Sequence, residues 1–378
     1  MLYQTNNSIN TMNIRHIIVI SGGKDSAALA IYMKQNYPKL AIEYYNSDTG
    51  CELEETERLI ERLDAYLGKE IKRLRAAETS SEPTPFHHFL KVMGGFLPSP
   101  QARWCTKKMK LAEFERYVGD DLAISYVGIR GDEDRDGYIS TKSNIQAIFP
   151  FRRNIWSVDV ISKFLSNDNL EQVVSLYDVI CLDDFVRDEV MEIVRRPITK
   201  QFYYSKKMNA LLDYDVKMFN QAVFAFLKTT DYPVGQLDEF PLVENTDVLV
   251  KEDIFKLLRE SGVGVPAYYE EIPFEVDGKK GTYCRSRSGC YFCFFQQKIE
   301  WIWRYEQHPD LYAKAMEFEK DGYTWNQGES LAELCKPERV RQIKLDIIKR
   351  QEESRKQSKG TTLVDILGDD IMCANCFI

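Results

Sequence analysis

The residues with the most evident chemistry lie near the beginning of the chain, in the loop sequence Ser-Gly-Gly-Lys-Asp-Ser at positions 21–26. The loop follows a run of mainly β-branched residues at 16–20 and precedes helical apolar spacing at 25–35. Glycines let backbone N–H groups approach oxygen atoms closely, and a helix N-terminus adds positive potential. Together with the ammonium group of Lys24, these features predict a phosphate-binding site. Its predicted members are Ser21, Gly22, Gly23, Lys24, Asp25 and Ser26.

Asp25 is the one member of the loop that a phosphate would repel. A helix-capping role or a contact with Mg²⁺ explains a carboxylate at this position better. We take Lys24 and Asp25 as candidate catalytic residues of the loop. The spacing matches neither the Walker loop nor the Gly-x-Gly-x-x-Gly loop of dinucleotide-binding folds, so it indicates a different class of phosphate site.

Cysteines form the second group with chemical potential, and the chain has nine of them. Cys284, Cys290 and Cys293 lie close together in the sequence, among aromatic residues. A cubane iron–sulfur cluster or a structural zinc ion needs four ligands, so a fourth must come from elsewhere, and the spacing does not separate the two metals. Near the end of the chain, Cys373 and Cys376 suit sulfur transfer by a thiolate nucleophile, which makes them candidate catalytic residues.

The bulk composition narrows the setting of this chemistry. A net charge of −8 over 378 residues argues against a protein that coats nucleic acid. The longest early apolar run, 17–20, is far shorter than the roughly 20 residues of a membrane-spanning helix. The segment before it is polar, unlike a signal peptide. We expect a cytoplasmic protein with no membrane association, in which clustered cysteines indicate metal or redox chemistry.

Alternating strand-like and helix-like stretches must position the loop. Strands are predicted at 16–20, 41–45 and 122–129, and helices at 25–35 and 54–67. This alternation predicts an α/β fold with a parallel, twisted sheet and helices on both faces. Further helices are predicted at 156–165, 170–180, 183–195 and 207–227, and a basic helix at 336–359.

Four regions follow from these patterns. They are a nucleotide-binding α/β domain at 1–153, a helical insertion at 154–239, the completion of the fold with a cysteine-rich, metal-binding region at 240–335, and a basic helix with a cysteine-containing tail at 336–378. The insertion is either plain structure or a docking surface for a partner protein. The basic helix is either a solvated face or a contact for a polyanion.

Further motifs occur in a fixed order around the loop. They are Asp48-Thr49-Gly50, Arg103-Trp104-Cys105-Thr106, Gly128-Ile129-Arg130, Phe240-Pro241-Leu242-Val243-Glu244, Gly264-Val265-Pro266-x-x-Tyr269 and Cys290-x-x-Cys293. In this order and company, the motifs resemble those of the phosphoadenosine phosphosulfate reductase family, within the ATP pyrophosphatase or adenine nucleotide alpha-hydrolase superfamily. The resemblance covers 16–150 and 240–320, and in style it is nearest to the sulfurtransferases of DNA phosphorothioation.

This resemblance implies roles for the motifs. The implied contacts with the nucleotide are Asp48, Thr49, Gly50, Gly128 and Arg130, the first three near adenosine and the last two at phosphate or sulfate. It favours Cys105 as the fourth metal ligand, with the tail pair Cys373 and Cys376 as the competitor. It also favours a 4Fe–4S cluster over zinc.

Three functions are consistent with the resemblance. In the first, ATP with Mg²⁺ adenylates an acceptor such as a nucleic acid, pyrophosphate leaves, and sulfur from a donor such as a cysteine desulfurase displaces the adenylate. In the second, a tail cysteine reduces a sulfonucleotide, although the chain lacks the Glu-Cys-Gly-x-His-type ending of such reductases. In the third, the chain is a nucleotide-sensing subunit of a defence or regulatory complex. We expect the first.

Overall fold

The computed structural model describes residues 14–137, 139–181, 184–320 and 322–357. A five-stranded sheet has the order β3-β2-β1-β4-β5, and every neighbouring pair in it is parallel. Its strands are β1 Arg15–Val19, β2 Ile42–Asp48, β3 Ile71–Arg75, β4 Ala123–Tyr126 and β5 Ile145–Ile148. A separate antiparallel hairpin consists of β6 Ile272–Val276 and β7 Lys279–Tyr283. The predicted α/β class with a parallel sheet is confirmed.

Helices make up most of the remaining structure. They are α1 Lys24–Asn36, α2 Glu54–Leu67, α3 Pro85–Val92, α4 Trp104–Thr106, α5 Ala112–Val118, α6 Val158–Phe164, α7 Leu170–Ile180, α8 Asp184–Arg195, α9 Tyr204–Tyr214, α10 Val216–Leu227, α11 Lys251–Glu260, α12 Lys298–Gln307, α13 Pro309–Glu317, α14 Leu331–Leu334 and α15 Pro337–Gln357. A π-helical turn, Lys107–Leu111, joins α4 to α5. Within the described ranges, no helix combines the length and the apolar composition needed to cross a bilayer.

The side chains of β1 alternate between two hydrophobic cores. Ile18 belongs to a core that includes Leu29 of α1 and Leu63 of α2. Ile17 and Val19 lie on the opposite face, against Phe114 of α5. Because successive residues of a strand point to opposite faces, a strand that is apolar throughout needs cover on both sides. The sheet is therefore covered by helices on both faces, as predicted.

Helices α6 to α10 contribute side chains to the core that contains Ile18, on the face of the sheet covered by α1 and α2. The ring of Phe164 in α6 lies 5.9 Å from that of Phe219 and 5.5 Å from that of Phe226, both in α10. The prediction of a single helix over 207–227 is wrong, because the structure has two helices there, α9 and α10. Asp215 has an extended backbone and its side chain accepts a hydrogen bond from the Met218 N–H at 2.9 Å, so it ends α9 and caps α10.

One face of the basic helix α15 is packed and the other is exposed. Ile347 and Ile348 are buried in a second core, which also contains parts of α4 and α12. Two of its basic side chains pair with carboxylates, Arg341 with Asp277 at 2.5 Å and Lys344 with Glu306 at 2.6 Å. Lys349 and Arg350 lie on the exposed face, so the solvated face and the polyanion contact both stay predictions.

The strand order creates a crevice at one edge of the sheet. From β1 the chain passes to β2 and β3 on one side, and later returns to β4 and β5 on the other. The carboxyl ends of β1 and β4 are therefore adjacent, while their following loops diverge. In open parallel sheets, ligands bind where the strand order reverses in this way. The predicted phosphate loop follows β1, so it lies at this position.

Candidate functional site

The loop at 21–26 is closed by its own hydrogen bonds. The Ser26 hydroxyl accepts from the Ser21 N–H at 3.1 Å and donates to the Gly23 carbonyl at 3.1 Å. The hydroxyl oxygens of Ser21 and Ser26 are 3.0 Å apart. Helix α1 begins directly after Gly23, so the N–H groups of its first turn point toward the loop. The structure brings all six predicted loop residues into one turn at the end of β1.

Close contacts surround both loop glycines, and Gly22 is the more restricted of the two. Gly22 has φ +73°, and a Cβ atom there would lie 2.2 Å from the Thr56 Cγ2 atom of α2. A Cβ atom at Gly23 would lie 2.6 Å from the hydroxyl of Ser288, in the cysteine-bearing segment. The left-handed conformation strains any other residue, and the contact with Thr56 leaves no space for one. The loop is therefore held between helix α2 and the C-terminal part of the chain.

Asp25 is a buried carboxylate shared by two cations. It is 1% exposed, with one oxygen 3.1 Å from Lys24 Nζ and the other 3.1 Å from Arg130 Nη1. Burial by itself would raise the pKa of Asp25, but the charges of Lys24 and Arg130 outweigh burial and lower that pKa below 3.8. Gly23 precedes α1 without a side-chain cap, so Asp25 is an ionic bridge rather than the predicted helix cap.

Arg130 joins the loop after β4 to the phosphate loop. It is 7% exposed and also contacts Asp132 at 2.8 Å and Glu133 at 2.7 Å. The adjacent Gly128 is needed because a Cβ atom there would lie 2.8 Å from the Asp25 carbonyl oxygen. The resemblance implied that Arg130 meets phosphate. In the structure its guanidinium lies between carboxylates, beside the loop.

The Asp48-Thr49-Gly50 motif links the end of β2 to the cysteine-bearing segment. Asp48 accepts from the Gly50 N–H at 2.7 Å, which fixes the turn. The Thr49 hydroxyl donates to Glu52 at 2.6 Å and lies 3.2 Å from the Cys290 sulfur. This motif ends β2, the strand next to β1, so it lies at the same edge of the sheet as the phosphate loop.

Two tyrosines contact the loop in a way that the sequence did not reveal. The Tyr268 hydroxyl donates to the Gly22 carbonyl at 3.2 Å. The Tyr269 hydroxyl accepts from the Lys24 N–H at 3.4 Å, and Lys24 Nζ lies 5.1 Å from the centre of that ring. The Gly264-Val265-Pro266-x-x-Tyr269 motif was the feature of the sequence that could have pointed to these tyrosines. Its spacing does not show which residues they contact.

Three of the four predicted metal ligands, Cys105, Cys290 and Cys293, lie in one region of the structure. Burial, and then the nearby Cys293, raises the pKa of the Cys105 thiol to about 11. Burial, then Glu52 and Cys51, raises the pKa of Cys290. Cys51 lies beside Cys290, and its carbonyl accepts from the Tyr291 N–H at 2.9 Å.

Cys284 has different neighbours. Burial, followed by Glu300 and Glu271, raises the pKa of its thiol to about 12. Among the described residues no disulfide forms, and no three His, Cys, Asp or Glu side chains are arranged to hold a metal ion. Cys373 and Cys376 lie outside the described residues. The metal centre therefore stays a prediction, and Cys51 is a further thiol near its expected position.

An open cleft of about 830 Å³ lies elsewhere, between the segments 96–102 and 322–328 and helix α15. None of the predicted site residues lines this cleft. Its volume alone suits a small ligand. The convergence of charged groups and glycines is at the phosphate loop, so we place the candidate site there.

Comparison with known proteins gives little further information. No protein-family model matches the chain, and no solved structure matches it. A stretch of 146 residues is 30% identical to the uncharacterized protein MJ0066 of Methanocaldococcus jannaschii. The match covers 35% of this chain and 28% of that protein. The chain thus spans under a third of the length of this relative, whose name states no activity.

The contact between Gly22 and Thr56 predicts the effect of a single methyl group. Gly22→Ala should lower the free energy of unfolding by clearly more than Gly68→Ala, because Gly68 has a similar φ of +62° but open space around it. The Gly68 change isolates the backbone strain, about 1–2 kcal/mol. Adding Thr56→Ser, which removes the clashing methyl, should recover part of the loss. Chemical denaturation measures all of these variants, and equal costs for the two glycine changes would refute the close contact.

The ionic bridge predicts a defined dependence of stability on pH. Because the folded-state pKa of Asp25 lies below 3.8, its contribution is fully present above that pH and fades as the pH falls further. Asp25→Asn should cost about 3–5 kcal/mol at pH 7, and the difference from wild type should narrow only below about pH 4.

The matched control for this prediction is Asp213→Asn. Asp213 pairs with Arg153 at 2.8 Å but is 68% exposed, so its removal should cost less than about 1 kcal/mol. Denaturant titrations between neutral and acid pH give both values. An Asp25→Asn protein as stable as the control would show that the buried bridge does not hold the loop.

Proposed function

We propose that the loop at 21–26 binds the phosphates of ATP or a related adenine nucleotide, together with Mg²⁺, and that the chain is an enzyme of the ATP pyrophosphatase type. The observation that carries this proposal is the position of the loop. It combines glycines, a helix N-terminus and a buried Lys24 at the point where the order of a parallel sheet reverses. This combination favours phosphate binding because backbone N–H groups, the helix end and the ammonium group all attract anions.

The shared carboxylate explains how Lys24 becomes available. Asp25 is bound by both Lys24 and Arg130, so Lys24 can turn toward a phosphate while the buried carboxylate keeps one cationic partner. Arg130 thus acts as a positioning residue rather than as a direct phosphate ligand. Tyr268 and Tyr269 are buried against the loop and limit its contact with water, which strengthens these electrostatic interactions.

The proposed reaction follows from phosphate binding in this loop. An acceptor oxygen attacks the α-phosphorus, the bond to the oxygen bridging the α- and β-phosphates breaks, and pyrophosphate leaves. A sulfur nucleophile then takes the place of the adenylate, which departs as AMP. Lys24 and the loop N–H groups stabilise the negative charge that develops on the phosphates.

The adenine base and the sulfur chemistry rest on the family resemblance, as does a nucleic-acid acceptor. A 4Fe–4S cluster, or zinc in its place, would be held by Cys105, Cys290 and Cys293, with Cys51 or Cys284 as a further thiol. The described thiols do not form a ready coordination group. No step above passes through a metal centre.

Pyrophosphate release tests this function. Purified protein with ATP and Mg²⁺, in the presence of duplex DNA or transfer RNA, should release pyrophosphate rather than orthophosphate. Lys24→Met should lower the rate by about 10²–10³-fold, because it removes a charge that stabilises the transition state.

Lys34→Met is the matched control for this assay. Lys34 lies in the last turn of the same helix, and its ammonium group donates to the Tyr66 and Leu67 carbonyls at the end of α2, over the Tyr66 ring and away from the loop. The rate of this variant should equal that of wild type. Orthophosphate as the product, or equal rates for the two lysine variants, would contradict the proposal.

A further inference from the structure

Two fully buried arginines near the phosphate loop have no hydrogen-bond acceptor in the described part of the chain. Arg285 and Arg304 are each 0% exposed. The nitrogen atoms concerned are Nε, Nη1 and Nη2 of both side chains. A guanidinium carries five N–H donors, and buried donors are almost always paired. A pair of unmatched guanidinium groups is therefore a feature that requires an explanation.

Arg285 lies one aromatic ring away from the phosphate loop. The backbone N–H of Arg285 donates to the Tyr268 carbonyl at 2.8 Å. The guanidinium carbon of Arg285 is 5.6 Å from the centre of the Tyr268 ring. The hydroxyl of the same tyrosine donates to Gly22 in the loop at 3.2 Å. Arg304 comes from α12, with its guanidinium 5.2 Å from the centre of the Trp303 ring. The two arginines thus lie behind the loop, where the cysteine-bearing segment meets α12.

The carboxylates around the two arginines do not serve them as acceptors. Glu300 accepts from the Ser286 N–H at 2.7 Å, from the Ser286 hydroxyl and from the Gln297 N–H at 2.8 Å. Glu55 has one oxygen 3.5 Å from His308 Nε2 and the other buried without a partner among the described residues. Neither carboxylate forms an ion pair with Arg285 or Arg304 in the described structure.

Like charge acts on these groups as well as burial. Burial, and then the charge of Arg285, lowers the pKa of Arg304. Three carboxylates raise the pKa of Arg304 and offset only part of this lowering, those of Glu55, Glu300 and Asp310. Burial and the charge of Arg304 lower the pKa of His308. The two aromatic rings recover only part of the cost of removing two cations from water. A partner with several oxygen atoms and negative charge would satisfy both guanidinium groups at once.

We propose that Arg285 and Arg304 form a binding site for a tetrahedral oxyanion, a phosphate or sulfate group. Two arginines suit such a group because each guanidinium can donate two parallel hydrogen bonds to it. The group is supplied either as a free anion or as an outer phosphate of a nucleotide on the loop. Both arginines are 0% exposed, so an anion bound between them would be enclosed by protein.

Thermal unfolding of the full chain in a buffer free of phosphate and sulfate tests this site. Inorganic sulfate or phosphate should raise the Tm of wild type by a few degrees, compared with sodium chloride at equal ionic strength. Arg285→Met and Arg304→Met should lose this rise and bind either anion about tenfold more weakly, or worse. Arg58→Met is the matched control, because Arg58 is 60% exposed and pairs with Glu54 on the surface of α2.

A second arm with ATP identifies the source of the group. If the Met variants also weaken ATP binding, the oxyanion is an outer phosphate of the nucleotide, and if ATP binding is unchanged, the site takes a free anion. Lys24→Met separates this site from the proposed function, since it should weaken ATP binding and leave the response to sulfate intact. Should the Met variants fail to fold, Arg304→Lys serves, because it keeps the charge but cannot donate two parallel bonds.

Two results would overturn the proposal. In the first, sulfate and phosphate raise the Tm of wild type, Arg58→Met and both Met variants equally, which would indicate a general salt effect. In the second, wild type shows no response to either anion and the Met variants bind ATP as wild type does, which would mean that the arginines are paired within the protein.

Discussion

The buried carboxylate of Asp25 is the interaction on which the rest of the site depends. It holds Lys24 from the loop after β1 and Arg130 from the loop after β4, each at 3.1 Å. The two loops follow adjacent strands, and these ion pairs add to the close approach of Gly128 to the Asp25 carbonyl in fixing one loop against the other. Removing the carboxylate would deprive two buried cations of this partner, whereas the carboxylate itself keeps one partner when Lys24 turns away. The arrangement favours a rigid loop with a lysine that can be redirected.

The C-terminal part of the chain completes this site from the outside. Tyr268 and Tyr269 contact the loop directly, and the Ser288 hydroxyl packs against Gly23. The segment that carries Cys290 and Cys293 therefore continues from residues in contact with the phosphate loop. Under the proposed function, this continuity would link the nucleotide to the thiols, because a movement of the segment would displace both the loop contacts and the cysteines.

Much of the fold could be predicted from the sequence, and the exceptions have physical reasons. Helix α2 begins and ends where its apolar periodicity predicted, since Leu59, Leu63 and Leu67 form one buried stripe. Strand β3 was missed because it is an edge strand with charged and largely exposed side chains, and β5 was missed because it has only four residues, one of them Gln146. The break at Asp215 was missed because helical periodicity continues across it.

The site was predictable in its parts but not in its pairings. The order of the motifs identified the phosphate loop and Arg130, but the salt bridge between Arg130 and Asp25 spans 105 positions. The proximity of Cys51 to Cys290 likewise depends on how β2 and the later segment meet, which no local pattern encodes. The unmatched guanidinium groups of Arg285 and Arg304 arise from the tertiary packing that buries them without acceptors, which no sequence pattern reveals.

The proposed role of the glycine loop after β1 is to hold the phosphates of an adenine nucleotide. Isothermal titration of the purified chain with ATP, with and without Mg²⁺, measures this binding. We expect saturable binding of one ATP per chain, tighter with Mg²⁺ than without. The absence of measurable affinity for any adenosine phosphate under both conditions would contradict it.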